Sequence, residues 1–372
     1  MNEANPAQLV PYVLSGAFLL AFVFGAVGHK TSFCTMGAVA DWVNMGDSGR
    51  MRMWVLAIAV AILGANALHL AGLIDLSKSF YQGRNFTWLS YLAGGFAFGI
   101  GMTLASGCGS KTLIRIGGGN LKSVVVFIVI GLSAYMTLRG LFGAFRAGVL
   151  DPVAITLSTG QDLPSLLAGP LGLPKAQLVL GLSLAIAGGL LAWVFASRDF
   201  RCNPDYVVGG LVTGLVVAGA WYVSGHVGHV AEHPDTLEEA FVGTSSGRME
   251  SFSFVAPLAY TLEYLMLWTD KSRTLTFGIA VVAGVIAGSA AYALAAGRFR
   301  WEGFRDAEDT ANHLVGATLM GFGGVTAMGC TIGQGLSGLS TLALGSMLAF
   351  AAMVAGSVCA LKYQYWRLMQ EP

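Results

Sequence analysis

Residues Gly95–Gly109 read GFAFGIGMTLASGCG, and residues Thr318–Thr331 read TLMGFGGVTAMGCT. Each is an apolar, glycine-studded run that breaks at a Gly-Cys pair. Glycine at this density lets membrane helices approach closely and lets backbone unwind where it lines a cavity. Gly99, Gly101, Gly107 and Cys108 lie 222 residues before Gly321, Gly323, Gly329 and Cys330. Ser32-Phe33 precedes Ser253-Phe254 by 221 residues, and Asp41 precedes Glu263 by 222. A shared offset across separate motifs marks an internal duplication.

The flanking chain agrees with a membrane setting. Of 372 residues, 55% are hydrophobic and 11% charged, against about 25% charged in a soluble domain. Mean hydropathy is +0.66. This excludes a disordered chain and argues against a cytosolic enzyme. Lys+Arg 21 against Asp+Glu 20 leaves +1 with no basic block, so nothing supports nucleic-acid binding. Glycine, at 51 residues, is about twice the usual ~7%.

A spanning helix needs about 20 mostly apolar residues. Nine stretches qualify: Val10–Val27, Met53–Ile74, Trp88–Ser106, Ser123–Leu138, Ala176–Ser197, Tyr206–Gly225, Thr274–Gly297, Ala311–Met328 and Leu336–Leu361. A tenth, Phe252–Thr269, carries Pro257 and Glu263 and reads as half-buried, not spanning. No signal peptide is evident. Counting Lys and Arg by alternate segments puts thirteen on one side and eight on the other. The bias places the N-terminus in the periplasm and the C-terminus in the cytoplasm.

The fold expected is therefore an all-α polytopic membrane protein, one transporter domain over residues 1–372. Repeat one covers about 10–140, a linker span 176–197, and repeat two about 206–361. Four spans plus one linker span is an odd number, so the second copy enters the membrane upside down. Inverted repeats with broken helices near the midplane are a transporter signature.

Five cysteines, Cys34, Cys108, Cys202, Cys330 and Cys359, show neither a CxxC nor zinc-like spacing. Cys359 reads as a small hydrophobe in a plain helix, and Cys202 as incidental in a polar turn. Cys34, Cys108 and Cys330 sit at breaks beside glycine and hydroxyl residues. Glycine-flanked N–H groups at a following helix start accept anions, and a thiol adds a soft, weak donor. Three thiols so placed suggest a ligand that itself contains sulfur or selenium; small buried hydrophobes are the alternative.

SFCTMGA (Ser32–Ala38), SGCGSKTLIRIGGGN (Ser106–Asn120) and GCTIGQGLSG (Gly329–Gly338), in that order, resemble the YeeE/YedE family of bacterial inner-membrane sulfur-compound transporters. The resemblance covers nearly the whole chain. It implies thiosulfate uptake through an hourglass of nine spanning helices, with one essential cysteine at each motif: Cys34, Cys108 and Cys330. The ion passes between thiols by S–H···S contacts, without a lasting covalent bond and without a cofactor. Relatives associated with selenium metabolism or sulfur oxidation keep other substrates open, and a membrane thiol-exchange protein is a further alternative. Many relatives work beside a small TusA-like sulfurtransferase on the cytoplasmic side.

Chemistry fits that implication. Backbone N–H groups around Gly107, Gly109 and Gly329, with Ser106, Ser110, Thr112, Thr331 and Gln334, suit sulfonate oxygens. Lys111 and Arg115 attract an anion or anchor a helix end. Thiols that stay protonated avoid repelling a dianion. An inside-negative potential opposes each negative charge by about 2.3 kcal/mol per 100 mV. Uptake therefore needs a co-ion or an inner consumer. Asp41 and Glu263 are candidate proton carriers, since ionisable residues inside membranes are functional suspects; interfacial caps on half-helices are the alternative. Gly107–Thr112 is not a phosphate loop, because Ala105 and Ser110 replace the required glycines. His226, His229 and His233 share a helical spacing, but Gly225 and Gly228 argue against a helix and so against a metal site. Trp42, Trp54, Trp88, Trp221, Trp268, Trp301 and Trp366 read as an interfacial belt.

Overall fold

A computed structural model describes residues 6–234 and 236–370. The first half holds α1 (Pro6–Lys30), α2 (Thr35–Met45), α3 (Gly49–Leu70), α4 (Trp88–Leu104), α5 (Gly109–Gly117) and α6 (Leu121–Arg139). Next come the short α7 (Leu141–Phe145) and α8 (Leu163–Leu171), the long α9 (Lys175–Ala196) and one turn, α10 (Arg198–Arg201). The second half holds α11 (Pro204–Tyr222), α12 (Val255–Met266), α13 (Phe277–Ala295), α14 (Ala307–Thr326) and α15 (Leu344–Leu368). Two two-residue strand pairs, Asn85–Phe86 with Ile155–Thr156 and His229–Val230 with Ala240–Phe241, are the sheet among the described residues.

The protein is an all-α polytopic membrane protein. Each expected span corresponds to one long helix. Among the described residues, eight helices are long and apolar enough to cross a membrane. The ninth, α14, carries Glu308 and Asp309 in its first turn. The tenth stretch forms α12, whose 12 residues reach only about 18 Å. One boundary needs correction. The stretch beginning at Leu336 is not continuous helix: Leu342 takes φ +57°, and the Leu344 N–H donates to the Gln161 carbonyl. α15 starts only there; hydropathy averaged over the stretch passes over Ser337, Ser340 and Thr341, which lead into the left-handed residue.

The loops define two ends of the bundle. At the loop-rich end, Ser79 pairs with Met249, Asp162 with Ala343, and Phe277 N–H with the Gly243 carbonyl. At the short-loop end, Asn120 pairs with Glu302, Lys122 with Asp309, and Lys30 with Asp205.

Packing exchanges partners between the halves. α1 lies against α13 and α3 against α11; α4 lies against α15 and α6 against α14; α4 and α14 cross each other. At that crossing a Cβ on Gly101 would stand 2.6 Å from the Gly316 carbonyl oxygen, and one on Gly323 would stand 2.5 Å from that of Gly94. Only bare backbone fits so close. Gly94 meets Gly323 while Gly101 meets Gly316, so the two helices run antiparallel, and the 222-residue offset maps each pair onto the other.

The short helices are tied at their far ends by charge. Asp41 of α2 accepts two hydrogen bonds from Arg50 of α3, with Gly37 leaving room for the guanidinium. Glu263 of α12 pairs with Arg273 at 3.1 Å and accepts from the Tyr135 hydroxyl at 3.1 Å. Arg52, the residue matched to Arg273 by offset, instead reaches the carbonyls of Trp193 and Val194 and covers the Trp193 ring. Asp41→Ala strands the partly buried Arg50, and Glu263→Ala leaves Arg273 only the exposed Asp270 at 3.9 Å. Each substitution is expected to cost about 3 kcal/mol, the lower end for breaking a buried pair, read as a lowered unfolding midpoint in detergent. Unchanged midpoints in both would show that the pairs do not clamp the short helices.

Candidate functional site

Three helices end in one and the same turn. α1, α4 and α14 are each followed by a non-glycine residue in the left-handed region: Ser32 (φ 53°), Ser106 (φ 55°) and Met328 (φ 58°). The next N–H reaches back five residues: Phe33 to the Gly28 carbonyl at 3.1 Å, Gly107 to Met102 at 2.8 Å, Gly329 to Gly324 at 2.8 Å. This closure satisfies carbonyls that a broken helix otherwise leaves bare. A left-handed non-glycine residue costs about 1–2 kcal/mol, so the turn is held by its surroundings. Two residues after each such position stands a cysteine: Cys34, Cys108 and Cys330.

Each thiol begins a short helical segment. Cys34 N-caps α2, its sulfur accepting the Gly37 N–H at 3.4 Å. Cys330 accepts the Gly333 N–H at 3.4 Å at the start of the wide-turned segment Gly333–Gly338. Cys108 precedes α5 without capping it, and its sulfur lies 3.2 Å from the Ser110 hydroxyl. The first-turn amides of α5 are thus left open, the arrangement that accepts anions. All three cysteines are buried. Cys108 lies within electrostatic range of both Cys34 and Cys330. Cys202 and Cys359 are exposed.

An aromatic layer packs beside the thiols. Phe24 stacks on Phe254 with centroids 5.8 Å apart and meets Phe33 and Phe252 edge-on. Trp54 stacks on Phe33 at 5.0 Å and on Phe350 at 5.7 Å. Trp54 and Trp221 therefore belong to the core, 2% and 0% exposed, and not to the interfacial belt. Their positions near span ends concealed this, because adjacent short helices and loops cover them.

Polar groups without partners surround the cysteines. Thr35 and Thr331, each next to a cysteine, have buried hydroxyls with no hydrogen-bond partner, as does Thr326. Buried polar groups are ordinarily satisfied, so these hydroxyls point to a polar guest. Thr112 donates to the Cys108 carbonyl at 3.1 Å and is occupied. Gln334 donates one N–H of its amide to the Ala327 carbonyl, and its amide oxygen has no partner; the second N–H leaves the group able to donate as well as accept. Lys111 is half-buried, beside Cys34, Cys108 and Arg115; among the described residues no carboxylate pairs with Lys111 or Arg115. Gly107 leaves space for Lys111, whose Cγ would stand 3.0 Å from an added Cβ, and Gly329 does the same for Gln334 at 3.1 Å. Gly109 faces ordinary space, 3.5 Å from Phe254. Asp41 and Glu263 are held in ion pairs with Arg50 and Arg273; Arg50 packs on Gly37, whose N–H bonds to the Cys34 sulfur.

A cavity of about 810 Å³ opens at the loop-rich end and ends at Met328-Gly329, next to Cys330. Its walls include Arg84, Arg146, Arg248, Glu250, Ser253 and Tyr81. Sequence reasoning missed this wall. Its arginines registered only as loop charges, and the segments that carry them are far apart in the chain. The loop histidines separate: His226 hydrogen-bonds to the Leu73 carbonyl at 3.0 Å, and His229 to Glu239 at 2.6 Å. Among the described residues no cluster suits a metal.

Comparison with known proteins identifies the family. Residues 30–359 match the family model described as "Sulphur transport". The chain is 26% identical over 353 residues to the thiosulfate transporter TsuA of Escherichia coli K12, covering 92% of each chain. It is 27% identical over 354 residues to the thiosulfate transporter TsuA of Spirochaeta thermophila, covering 91% of this chain and 95% of that one. A glycine-broken helix bundle with three buried thiols at identical turns, matched over most of its length, belongs to the sulphur-transport family, whose members are transporters and not enzymes.

Proposed function

We propose that this protein imports thiosulfate across the bacterial inner membrane, with the loop-rich end periplasmic and the short-loop end cytoplasmic. The two halves act as an inverted repeat of one domain. The observation that carries the reading is the threefold recurrence of a left-handed turn, a buried thiol and a short helix start, with Cys108 central. The anion collects among the arginines of the outer cavity and meets Cys330 at its floor. It passes to Cys108 and then to Cys34, beside the unpaired Lys111 and Arg115. Both relatives named above are thiosulfate transporters, which supports the choice of substrate.

Thiosulfate has two unlike ends. Its oxygens suit the open amides of α5 and the hydroxyls of Ser110, Thr35 and Thr331. Its terminal sulfur is soft and suits a protonated thiol, a weak donor. Weak contacts in series are what passage requires, since each station must bind and release. Asp41 and Glu263 enter this reading as clamps on the short helices. On the cytoplasmic side, a small TusA-like sulfurtransferase that consumes the anion would pull against the membrane potential. A selenium compound or another sulfur anion suits the same lining; competition with labelled thiosulfate separates them.

Cys108→Ser and Cys330→Ser are expected to lower thiosulfate uptake in proteoliposomes at least about tenfold, with membrane insertion intact; a hydroxyl keeps the volume but loses the soft donor. Uptake at the normal rate in both would reject the relay. Thr331→Val removes a hydroxyl that bonds to nothing in the protein, so the unfolding midpoint should hold while thiosulfate affinity falls about fivefold, the worth of one hydrogen bond near 1 kcal/mol. Loss of stability with unchanged affinity would show that this hydroxyl serves the fold.

A further inference from the structure

The outer cavity carries one group that an anion vestibule has no evident reason to hold. Beside Arg84, Arg146 and Arg248 its wall includes the carboxyl of Glu250. Arg146 is engaged by Asp151 at 3.4 Å. Glu250 forms no ion pair with any of the three arginines among the described residues. Its carboxyl accepts instead the backbone N–H of Ser246 at 2.7 Å, and the Glu250 carbonyl is anchored by the Ser224 hydroxyl at 2.5 Å. The loop thus holds a carboxyl in the mouth without cancelling its charge.

Other ionisable groups face it from the packed elements. Tyr81 and Arg84 come from the segment after α3, Arg146 and Asp151 from the segment after α6, and Tyr260 from α12. Arg248 lies on its own loop. The cavity-lining residues of α13 (Phe277, Gly278, Val281) and of the end of α14 (Gly324, Val325, Thr326) are not ionisable. Burial pushes the Glu250 carboxyl above the usual carboxylate range, and hydrogen bonds from Ser246 and Ser245 only partly oppose this. The sign is then fixed. At acid pH the group is neutral and offers an O–H donor to an oxyanion. At alkaline pH it is an acceptor-only anion that repels one.

We propose that Glu250 is a proton-linked gate of the outer cavity: its protonated form admits the anion, and its ionised form turns the anion away. The inference rests on the anion-import reading and deepens it. It supplies a proton-binding group on the path where Asp41 and Glu263 are already paired elsewhere. Thiosulfate itself stays a dianion across the range in question, so a pH dependence of admission reports on the protein.

The test is uptake of labelled thiosulfate into proteoliposomes carrying the full chain, with pH on the loop-rich side raised in steps from about 4.5, the ordinary carboxylate range, to about 8.5. Wild-type uptake is expected to fall about threefold or more across that range. Glu250→Gln, which cannot ionise, should give a nearly flat profile and exceed wild type at the alkaline end. Glu250→Asp, which keeps a carboxyl, should retain the fall. Glu250→Ser provides a second neutral variant should the glutamine form insert poorly. Profiles of the neutral variants that run parallel to wild type would overturn this inference while leaving thiosulfate import intact. No thiosulfate uptake by wild type at any pH would overturn the import reading and the gate together.

Discussion

A helix interrupted inside a bilayer leaves backbone groups with no water to satisfy them. The whole architecture depends on how this chain meets that constraint. Three times it closes the break with a left-handed residue and an N–H that reaches back five residues, at Ser32, Ser106 and Met328. Each closure turns the chain so that the second residue onward starts a new, short helix. That residue is a cysteine in every case. The same local solution therefore both makes the break tolerable and sets a thiol at a helix start, capped by its sulfur at Cys34 and Cys330 and left open at Cys108.

The long helices hold these breaks in register. α4 and α14 touch backbone to backbone at Gly94, Gly101, Gly316 and Gly323, and the turns bearing Cys108 and Cys330 follow directly from their ends. Glycine in the membrane costs helix propensity, but here it yields contact that no side chain permits. The short helices α2 and α12 are secured from the opposite side by Asp41–Arg50 and Glu263–Arg273. The two halves are not chemically equal: Phe254 N-caps α12 where Cys34 N-caps α2. Phe254 instead joins the aromatic layer with Phe24, Phe33 and Phe252.

Much of this is legible in the sequence. Apolar length locates every long helix, and two of the four glycines that meet across α4 and α14, Gly101 and Gly323, belong to the motifs matched at the 222-residue offset. The three site cysteines stand out because glycine and hydroxyl residues surround them. Other features escape for stated reasons. The break at Leu342 follows Ser340-Thr341 within a stretch that is apolar on average, so a window of hydropathy passes over it. The pairing of Asp41 with Arg50 has no local mark, because it depends on how α2 and α3 are rotated against each other. Trp54 and Trp221 lie near span ends yet are buried by neighbours remote in sequence. The cavity at the loop-rich end draws Arg84, Arg146 and Arg248 from three separate segments, and nothing local announces that they converge.

The central claim is that Cys34, Cys108 and Cys330 face one guest. The most direct measurement is the rate at which each cysteine of the full chain is alkylated by a small membrane-permeant maleimide, with and without thiosulfate, read by mass spectrometry. Cys359, exposed on α15, is the internal reference. The account requires thiosulfate to slow labelling at all three site cysteines several-fold while Cys359 is unaffected. Equal slowing at Cys359, or no protection at Cys108, would contradict it.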